Sequence, residues 1–370
     1  MRKVAVAVLF LIFVGFGIGL YHSIWLPRFA RNDSDGKPVI KIGVIAPLTG
    51  DAAETAENIK VGVELALEDN DGGDVYFELV LENDEFSPSK AVSLANKLIY
   101  TDKVDVLISS LAYAGMAIKT IADKAQVVHI NLGSNENVAD GVMNFVVWTP
   151  NEESGRKFEK ILQKNEVKKL VIFAMNHSGT DPYTTQMELA CERNNIEYIT
   201  YRFNPTEKDF KFMIFKGKED NPDIFAITAL APSLDVWAKT LNDLMIDIPV
   251  TSINCISVSN NKALFEGCEY ADIPNGSRNL QERAKAITKT DNFFAVPFAY
   301  DSVKMIMDIQ NKFYERESRV ASREELATLV SNVRGLDGES GNFDMGENGV
   351  SQSKAVIKKI VKGEPVLVNQ

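Results

Sequence analysis

The sequence predicts an α/β fold with two lobes, each built on a parallel sheet. The chain has 370 residues, more than the roughly 250–300 at which a single core stops growing. Apolar residues make up 45% and charged residues 25%, which is typical of globular proteins. Strand-like and helix-like stretches alternate in two successive runs, and this alternation indicates parallel strands joined by crossover helices.

The first run begins with a buried strand at 39–45 (VIKIGVI). The next segment, 55–69, has apolar residues at helical spacing. The next helix opens at Ser87-Pro88, where proline suits the first helical position. The predicted strands of this run are 39–45, 76–81, 104–108 and 127–130, and its predicted helices are 55–69, the one after Ser87, and 116–124.

The pattern restarts after Thr149-Pro150. Ligands of open parallel sheets bind beyond the carboxyl ends of the strands, so the loops after the strands are the predicted site. The predicted strands of this run are 170–174, 197–201, 223–228 and 250–253, and its predicted helices are 152–163, 184–193, 233–244, 299–314 and 323–332.

Charge and motifs exclude several classes of function. The formal net charge is −11, which argues against a non-specific nucleic-acid binder, because such proteins need basic surface. No phosphate loop, nucleophile elbow or zinc-binding His pair occurs in the sequence. We therefore predict no cofactor, no metal site and no catalytic residues. An enzyme would need paired carboxylates in one cleft, and Asp84, Asp181 and Asp301 are the residues to test for proximity.

The amino terminus predicts export. Residues 4–27 are 24 uncharged residues that follow Arg2 and Lys3, and about 20 suffice to cross a bilayer. A cleaved signal peptide and an uncleaved inner-membrane anchor both fit, and the lack of a clear Ala-x-Ala cleavage site favours the anchor. Residues 1–36 are thus a signal or anchor plus linker, and the body is expected in the periplasm or otherwise outside the cytoplasm.

Three cysteines, Cys191, Cys255 and Cys268, cannot build a disulfide scaffold. An oxidising compartment would permit a Cys255–Cys268 bridge. Three small buried thiols are the alternative, and both interpretations stay open.

Four stretches carry a resemblance to a known family. They are IKIGVIAPLTGDAAETAENIKVGVELALEDNDGG (40–73), LENDEFSPSKAVSLANKLIYTDKVDVLIS (81–109), FAVPFAYDSVKMI (294–306) and GNFDMGENG (341–349). In this order they resemble the type I periplasmic solute-binding proteins, in the leucine/isoleucine/valine-binding branch that serves ABC transporters. The resemblance implies a small-molecule ligand and a permease or other membrane partner.

The family fold is two Rossmann-like lobes with parallel sheets, joined by a three-segment hinge. By this resemblance the first lobe comprises 37–149 and 276–341, and the second comprises 150–275 and 342–370. The crossings between the lobes are expected near 149–151, 271–276 and 342–349.

The resemblance also implies ligand contacts from the first lobe. In the family, the loop after the fourth strand holds a ligand carboxylate through backbone N–H groups, which need no basic side chain. A serine or asparagine there is also a common helix cap, and the two roles are compatible. The implied residues are Gly133, Ser134 and Asn135 in this loop, Tyr113, Ala114 and Gly115 after the third strand, and Thr55, where an aromatic residue often covers the ligand.

The second lobe departs from the family pattern. Thr180 or Tyr183 stands for the usual Tyr-Gly pair, and Ala229 lies in a loop that lacks the usual aromatic residue. Asn254 occupies the place of the carboxylate that pairs with a ligand ammonium, and Asp181 is a substitute to consider. A buried ammonium without a carboxylate is costly. The expected ligand is therefore an amino acid, an amide or a small carboxylate. A membrane-anchored sensor or scaffold of the same fold, without a role in transport, is the alternative.

Overall fold

The computed structural model describes residues 31–50, 52–70, 73–288 and 292–368. These residues form ten α-helices and twelve β-strands. The predicted signal or anchor at 4–27 lies outside the described residues and stays a prediction. Over the described ranges, no helix is both long enough and apolar enough to cross a membrane.

The first sheet has five parallel strands in the order β2-β1-β3-β4-β5. Helices cover its two faces, so its central strands are almost wholly apolar. The second helix begins as predicted, because Ser87 accepts a hydrogen bond from Lys90 N and Pro88 opens the first turn. The elements are β1 (Val39–Ala46), α1 (Ala53–Glu68), β2 (Tyr76–Asn83), α2 (Pro88–Asn96), β3 (Val106–Ser110), α3 (Leu111–Ala125), β4 (Val128–Leu132) and β5 (Asn144–Val146).

The second sheet has four parallel strands in the order β7-β6-β8-β9. Its core is rich in aromatic rings, and the Phe173 and Phe225 rings meet edge to face with centroids 5.1 Å apart. The elements are α4 (Asn151–Lys164), β6 (Lys169–Met175), α5 (Asp181–Arg193), β7 (Glu197–Phe203), α6 (Lys211–Glu219), β8 (Ile224–Thr228), α7 (Ser233–Asp243) and β9 (Val250–Ser252).

The last quarter of the chain returns to both sheets. Three antiparallel strands, in the order β10-β11-β12, continue the second sheet through a bridge between Ile253 and Ala271. Between β10 and β11 lie three helices, of which the central one packs against α1 on the first sheet. These elements are β10 (Glu269–Asp272), α8 (Arg278–Thr288), α9 (Val296–Glu317), α10 (Arg323–Ser331), β11 (Val356–Val361) and β12 (Glu364–Leu367).

The chain therefore crosses three times between two separate cores. Trp148 is the last residue of the first core before the chain leaves it, and Ile273 is the first residue of the same core after the chain returns. Val350 still packs in the first core, whereas Ile360 lies in the second. The third crossing thus falls after Val350, later than the predicted 342–349 segment, because Phe343 and other apolar residues of this turn pack beneath the first sheet.

The α/β fold with parallel sheets is confirmed, and two local predictions are corrected. Helix α3 begins at Leu111, five residues before the predicted start at Met116. Gly115 lowers the helical propensity of this stretch, yet only glycine fits there, because a Cβ atom would lie 2.5 Å from Asn131 Nδ2. The antiparallel strands β10 to β12 are not predicted at all, since each is short and pairs with a distant segment.

The three cysteines are free thiols, so the Cys255–Cys268 bridge is wrong. The Cys268 thiol lies beside Val250, where β9 begins, and Cys255 follows the end of the same strand. Burial raises the pKa of all three thiols to about 12, which keeps them protonated and unreactive.

Candidate functional site

A cavity of about 230 Å³ lies between the two sheets. Its walls come from segments that follow β2, β3 and β4 on one side, and β6, β8 and β9 on the other. This is the position predicted for a ligand of parallel sheets, because loops at the carboxyl ends of the strands converge there. Most of the lining is apolar, as is usual for small-molecule sites.

Six predicted ligand contacts line this cavity. Tyr113, Gly133 and Ser134 come from the first sheet, and Tyr183 and Asn254 come from the second. Thr55, in the first turn of α1, stands at the edge. The structure therefore brings together residues that are up to 199 positions apart in the chain.

Three predicted contacts of the first lobe do not line the cavity. Ala114 and Gly115 are buried within α3, because the helix starts early and turns both residues toward the strands. Asn135 accepts a hydrogen bond from Asn137 N and caps a short turn on the outer surface. We leave these residues out of the site.

Three predicted contacts of the second lobe also lie elsewhere. Thr180 is fully buried and donates to Met175 O at 3.1 Å. Asp181 pairs with Arg202 on the outer surface at 2.9 Å, so it is not a substitute for a carboxylate in the cavity. Ala229 is fully buried, and its neighbours Leu230 and Ala231 line the wall instead.

Several cavity residues are not among the predicted contacts. Phe86, Trp148, His177 and Phe294 supply aromatic walls. Phe86 and His177 each follow the end of a strand, and Trp148 precedes the first crossing, so position relative to the strands is the signal that could have indicated them. Phe294 comes from the returning third segment, and no local pattern marks it.

Contacts between the two sides close the cavity. The Ser134 hydroxyl donates to Gly179 O at 2.8 Å. Trp148 Nε1 donates to the Tyr183 hydroxyl at 3.3 Å. The Phe86 and His177 rings stack with an interplanar angle of 4° and centroids 6.3 Å apart. The structure is thus in a closed form, in which these contacts join the sides across the cavity.

Phe86 reaches across the cavity from a strained turn. Glu85 and Phe86 have φ values of 51° and 60°, which non-glycine residues rarely adopt. Asp84 holds the turn, since its Oδ1 accepts from Phe86 N at 3.0 Å and from the Tyr113 hydroxyl at 2.6 Å. Strain of this kind is typical of functional sites.

The cavity carries little charge. Burial lowers the pKa of His177, so the imidazole is neutral at pH 7. Burial raises the pKa of Tyr183 to about 12, so its phenol keeps its proton. Among the described lining residues, Glu54 is the only carboxylate, and it is exposed at the mouth.

The amino-terminal end of α3 is a polar feature of the wall. Leu111, Ala112 and Tyr113 of its first turn line the cavity. Ser110 precedes the helix, and its side chain makes no capping hydrogen bond within the described residues. The first N–H groups of a helix have no partner inside the helix, and the helix dipole favours an anion there.

The carboxylates considered for catalysis are not in one cleft. Asp84 is fully buried behind Tyr113. Asp301, in α9, accepts hydrogen bonds from Ser340 N and Glu339 N, so it fixes the segment after α10. With Asp181 on the outer surface, the three carboxylates have separate structural roles.

Comparisons with known proteins agree with this geometry. Residues 39–253 match the family model described as periplasmic binding protein. The Leu/Ile/Val-binding protein BraC3 of Rhizobium johnstonii is 22% identical over 353 residues, which cover 88% of this chain and 94% of that protein.

Two solved structures share the fold. Leucine binding protein LivK from Thermotoga maritima has a TM-score of 0.78 at 19% identity, over 89% of this chain and 98% of that chain. A solute binding protein of an ABC transporter from Rhodopseudomonas palustris BisB5, in complex with 3,4-dihydroxybenzoic acid, has a TM-score of 0.76 at 18% identity, over 89% and 96%. The family and its fold neighbours are substrate-binding proteins and not enzymes. Because the family match spans more than half of the sequence, this chain belongs to the periplasmic binding protein family, and it shares the fold of the leucine binding protein LivK.

Proposed function

We propose that this protein is an extracytoplasmic solute-binding protein, which captures a small ligand between two hinged lobes and delivers it to an ABC transporter permease. The cavity between the two sheets is the observation that carries the proposal, because residues from both sides line it and close it. Membership of the periplasmic binding protein family supports a location outside the cytoplasm.

The two cores support movement of the lobes as units. The first lobe is proposed to comprise 37–149 and 276–341, and the second 150–275 and 342–370. The packing of Val350 in the first core favours moving the last boundary to the 351–355 segment. A ligand that touches both lobes stabilises the closed form, because those contacts exist only after closure.

The lining favours a small ligand with an apolar body and at least one acceptor group. Aromatic rings supply part of a mainly apolar wall, and the uncapped start of α3 offers N–H groups to a carboxylate. Relatives are named for leucine, isoleucine and valine binding, and one neighbour is in complex with a dihydroxybenzoic acid. We therefore propose an amino acid, an amide or a small carboxylate as the ligand.

Calorimetric titration and small-angle X-ray scattering test this function together. A ligand from these classes should bind, and it should reduce the radius of gyration of the protein. Ser134→Ala removes a hydrogen bond between the sides and should weaken binding by roughly fivefold, about 1 kcal/mol. Ser93→Ala, on an exposed face of α2, is the matched control. Failure of all three ligand classes to bind would contradict the proposal.

A membrane-anchored sensor or scaffold is the second candidate function. The uncharged segment at 4–27 favours it, because no clear cleavage site follows. Cell fractionation and the intact mass of the protein decide between the two. A full-length chain in the membrane fraction would support the anchor, and a soluble chain that lacks this segment would contradict it.

A further inference from the structure

Asn254 carries an unsatisfied acceptor in the wall of the cavity. It follows β9, is 2% exposed and lines the wall. Its Nδ2 lies 3.5 Å from Ser154 Oγ, whereas its Oδ1 has no hydrogen-bond partner among the described residues. An acceptor left unsatisfied in a buried site is costly, so a ligand that donates to Oδ1 gains this energy on binding.

The backbone of Asn254 has a fixed place at the cavity wall. Its φ is 58°, in the left-handed region that asparagine tolerates better than most residues. Its backbone N donates to Ala271 O at 2.8 Å, which ties it to the first residues of the second crossing. The backbone of Asn254 is therefore held beside the cavity by the strands around it.

A cationic group beside Asn254 would find no counter-ion. Among the lining residues that the structure describes, the only carboxylate is Glu54, which is exposed at the mouth. Asp84 is separated from the cavity by Tyr113, whose hydroxyl it binds. A buried charge without a partner is strongly unfavourable, whereas a hydroxyl or amide group carries no such penalty.

We propose that the ligand is a small carboxylate whose second polar group is an uncharged hydrogen-bond donor, a hydroxyl or an amide N–H, that binds Asn254 Oδ1. This inference rests on the proposed function and narrows its ligand class. The carboxylate belongs at the start of α3, where Ser110 leaves N–H groups uncapped. The aromatic walls take the apolar body between the two ends. An α-amino acid has the same shape as the corresponding 2-hydroxy acid, but it brings an ammonium to a site built without a carboxylate.

Matched ligand pairs test the inference. The purified full-length chain is titrated with L-leucine and 2-hydroxy-4-methylpentanoate, and with L-phenylalanine and 3-phenyllactate. The members of each pair differ only in an ammonium or a hydroxyl. The hydroxy acid of at least one pair should bind at least about tenfold more tightly than its amino acid. Tighter binding of the amino acids would overturn the inference while leaving the proposed function intact.

Variants at two lining positions locate the effect. Asn254→Asp supplies a buried carboxylate and should shift the ratio of the two affinities toward the amino acid by at least about tenfold. Asn260→Asp is the control, since Asn260 lines the same cavity but is exposed, and it should leave the ratio unchanged. An equal shift in both variants would overturn the assignment to Asn254.

The wild-type ratio decides the question even if Asn254→Asp does not fold. If the small molecules that bind the wild-type chain all lack a carboxylate or an uncharged hydrogen-bond donor, the inference fails and the proposed function stands. If no small molecule binds, both fail.

Discussion

His129 is an internal histidine whose ionisation the fold opposes. It lies on β4 and is fully buried. Its Nε2 is 2.8 Å from Ser109 Oγ, and its Nδ1 is 2.8 Å from Asn144 Oδ1. An amide oxygen can only accept, so Nδ1 donates to it and Nε2 accepts from the Ser109 hydroxyl. Burial lowers the pKa of His129 from 6.5 to about 4.

The sign of the effect on stability follows from proton binding. Between pH 6.5 and about 4 the folded state binds fewer protons at His129 than the unfolded state. The stabilising contribution is therefore complete above pH 6.5 and is lost as the pH falls toward 4. At about 1.4 kcal/mol for each pH unit, the loss is roughly 3 kcal/mol in the free energy of unfolding.

Urea unfolding of the wild type and of His129→Gln, at several pH values between 7 and 4, measures this contribution. Glutamine does not titrate, so the stability difference between the two proteins should shrink by roughly 3 kcal/mol on acidification. Asp301 acts in the opposite direction, since burial raises its pKa to about 6, but it is present in both proteins and cancels. Identical pH dependence in the two proteins would refute the reasoning.

Three further predictions concern single positions. Lys358 and Asp272 form a fully buried ion pair at 2.7 Å. Lys358→Met should lower the free energy of unfolding, measured with urea, by about 3–5 kcal/mol. Adding Asp272→Asn to this variant should recover much of the loss, because no unpaired charge then remains buried. Equal stability of the single and double variants would contradict this. In Gly62→Ala the added Cβ would lie 2.4 Å from Val296 O, so we expect α1 and α9 to separate. The free energy of unfolding should fall by about 1–3 kcal/mol, and the melting temperature should fall with it. An unchanged melting temperature would show that the helices adjust freely. Phe86→Ala removes the ring contact across the cavity. Because such a contact contributes about 1 kcal/mol, ligand dissociation should become several-fold faster in stopped-flow measurements. An unchanged rate would show that Phe86 does not help to hold the closed form.

The sequence by itself determines the two parallel sheets. Strands such as β1, β3 and β6 are continuous apolar runs, and helices with a 3.6-residue period separate them. These signals are local, because a strand covered on both faces must be apolar along its whole length. The same local signals show where the strands end, and a ligand is expected beyond those ends. The cavity is found there.

Only the tertiary structure decides which side chains face that cavity. Ala114 and Gly115 follow a predicted strand as closely as Tyr113 does, but the early start of α3 directs them into the core. Phe294 reaches the wall from a segment that returns to the first sheet more than 140 residues after β5. Side-chain direction at a sheet edge depends on contacts between distant segments, and hydrophobic periodicity carries no information about those contacts.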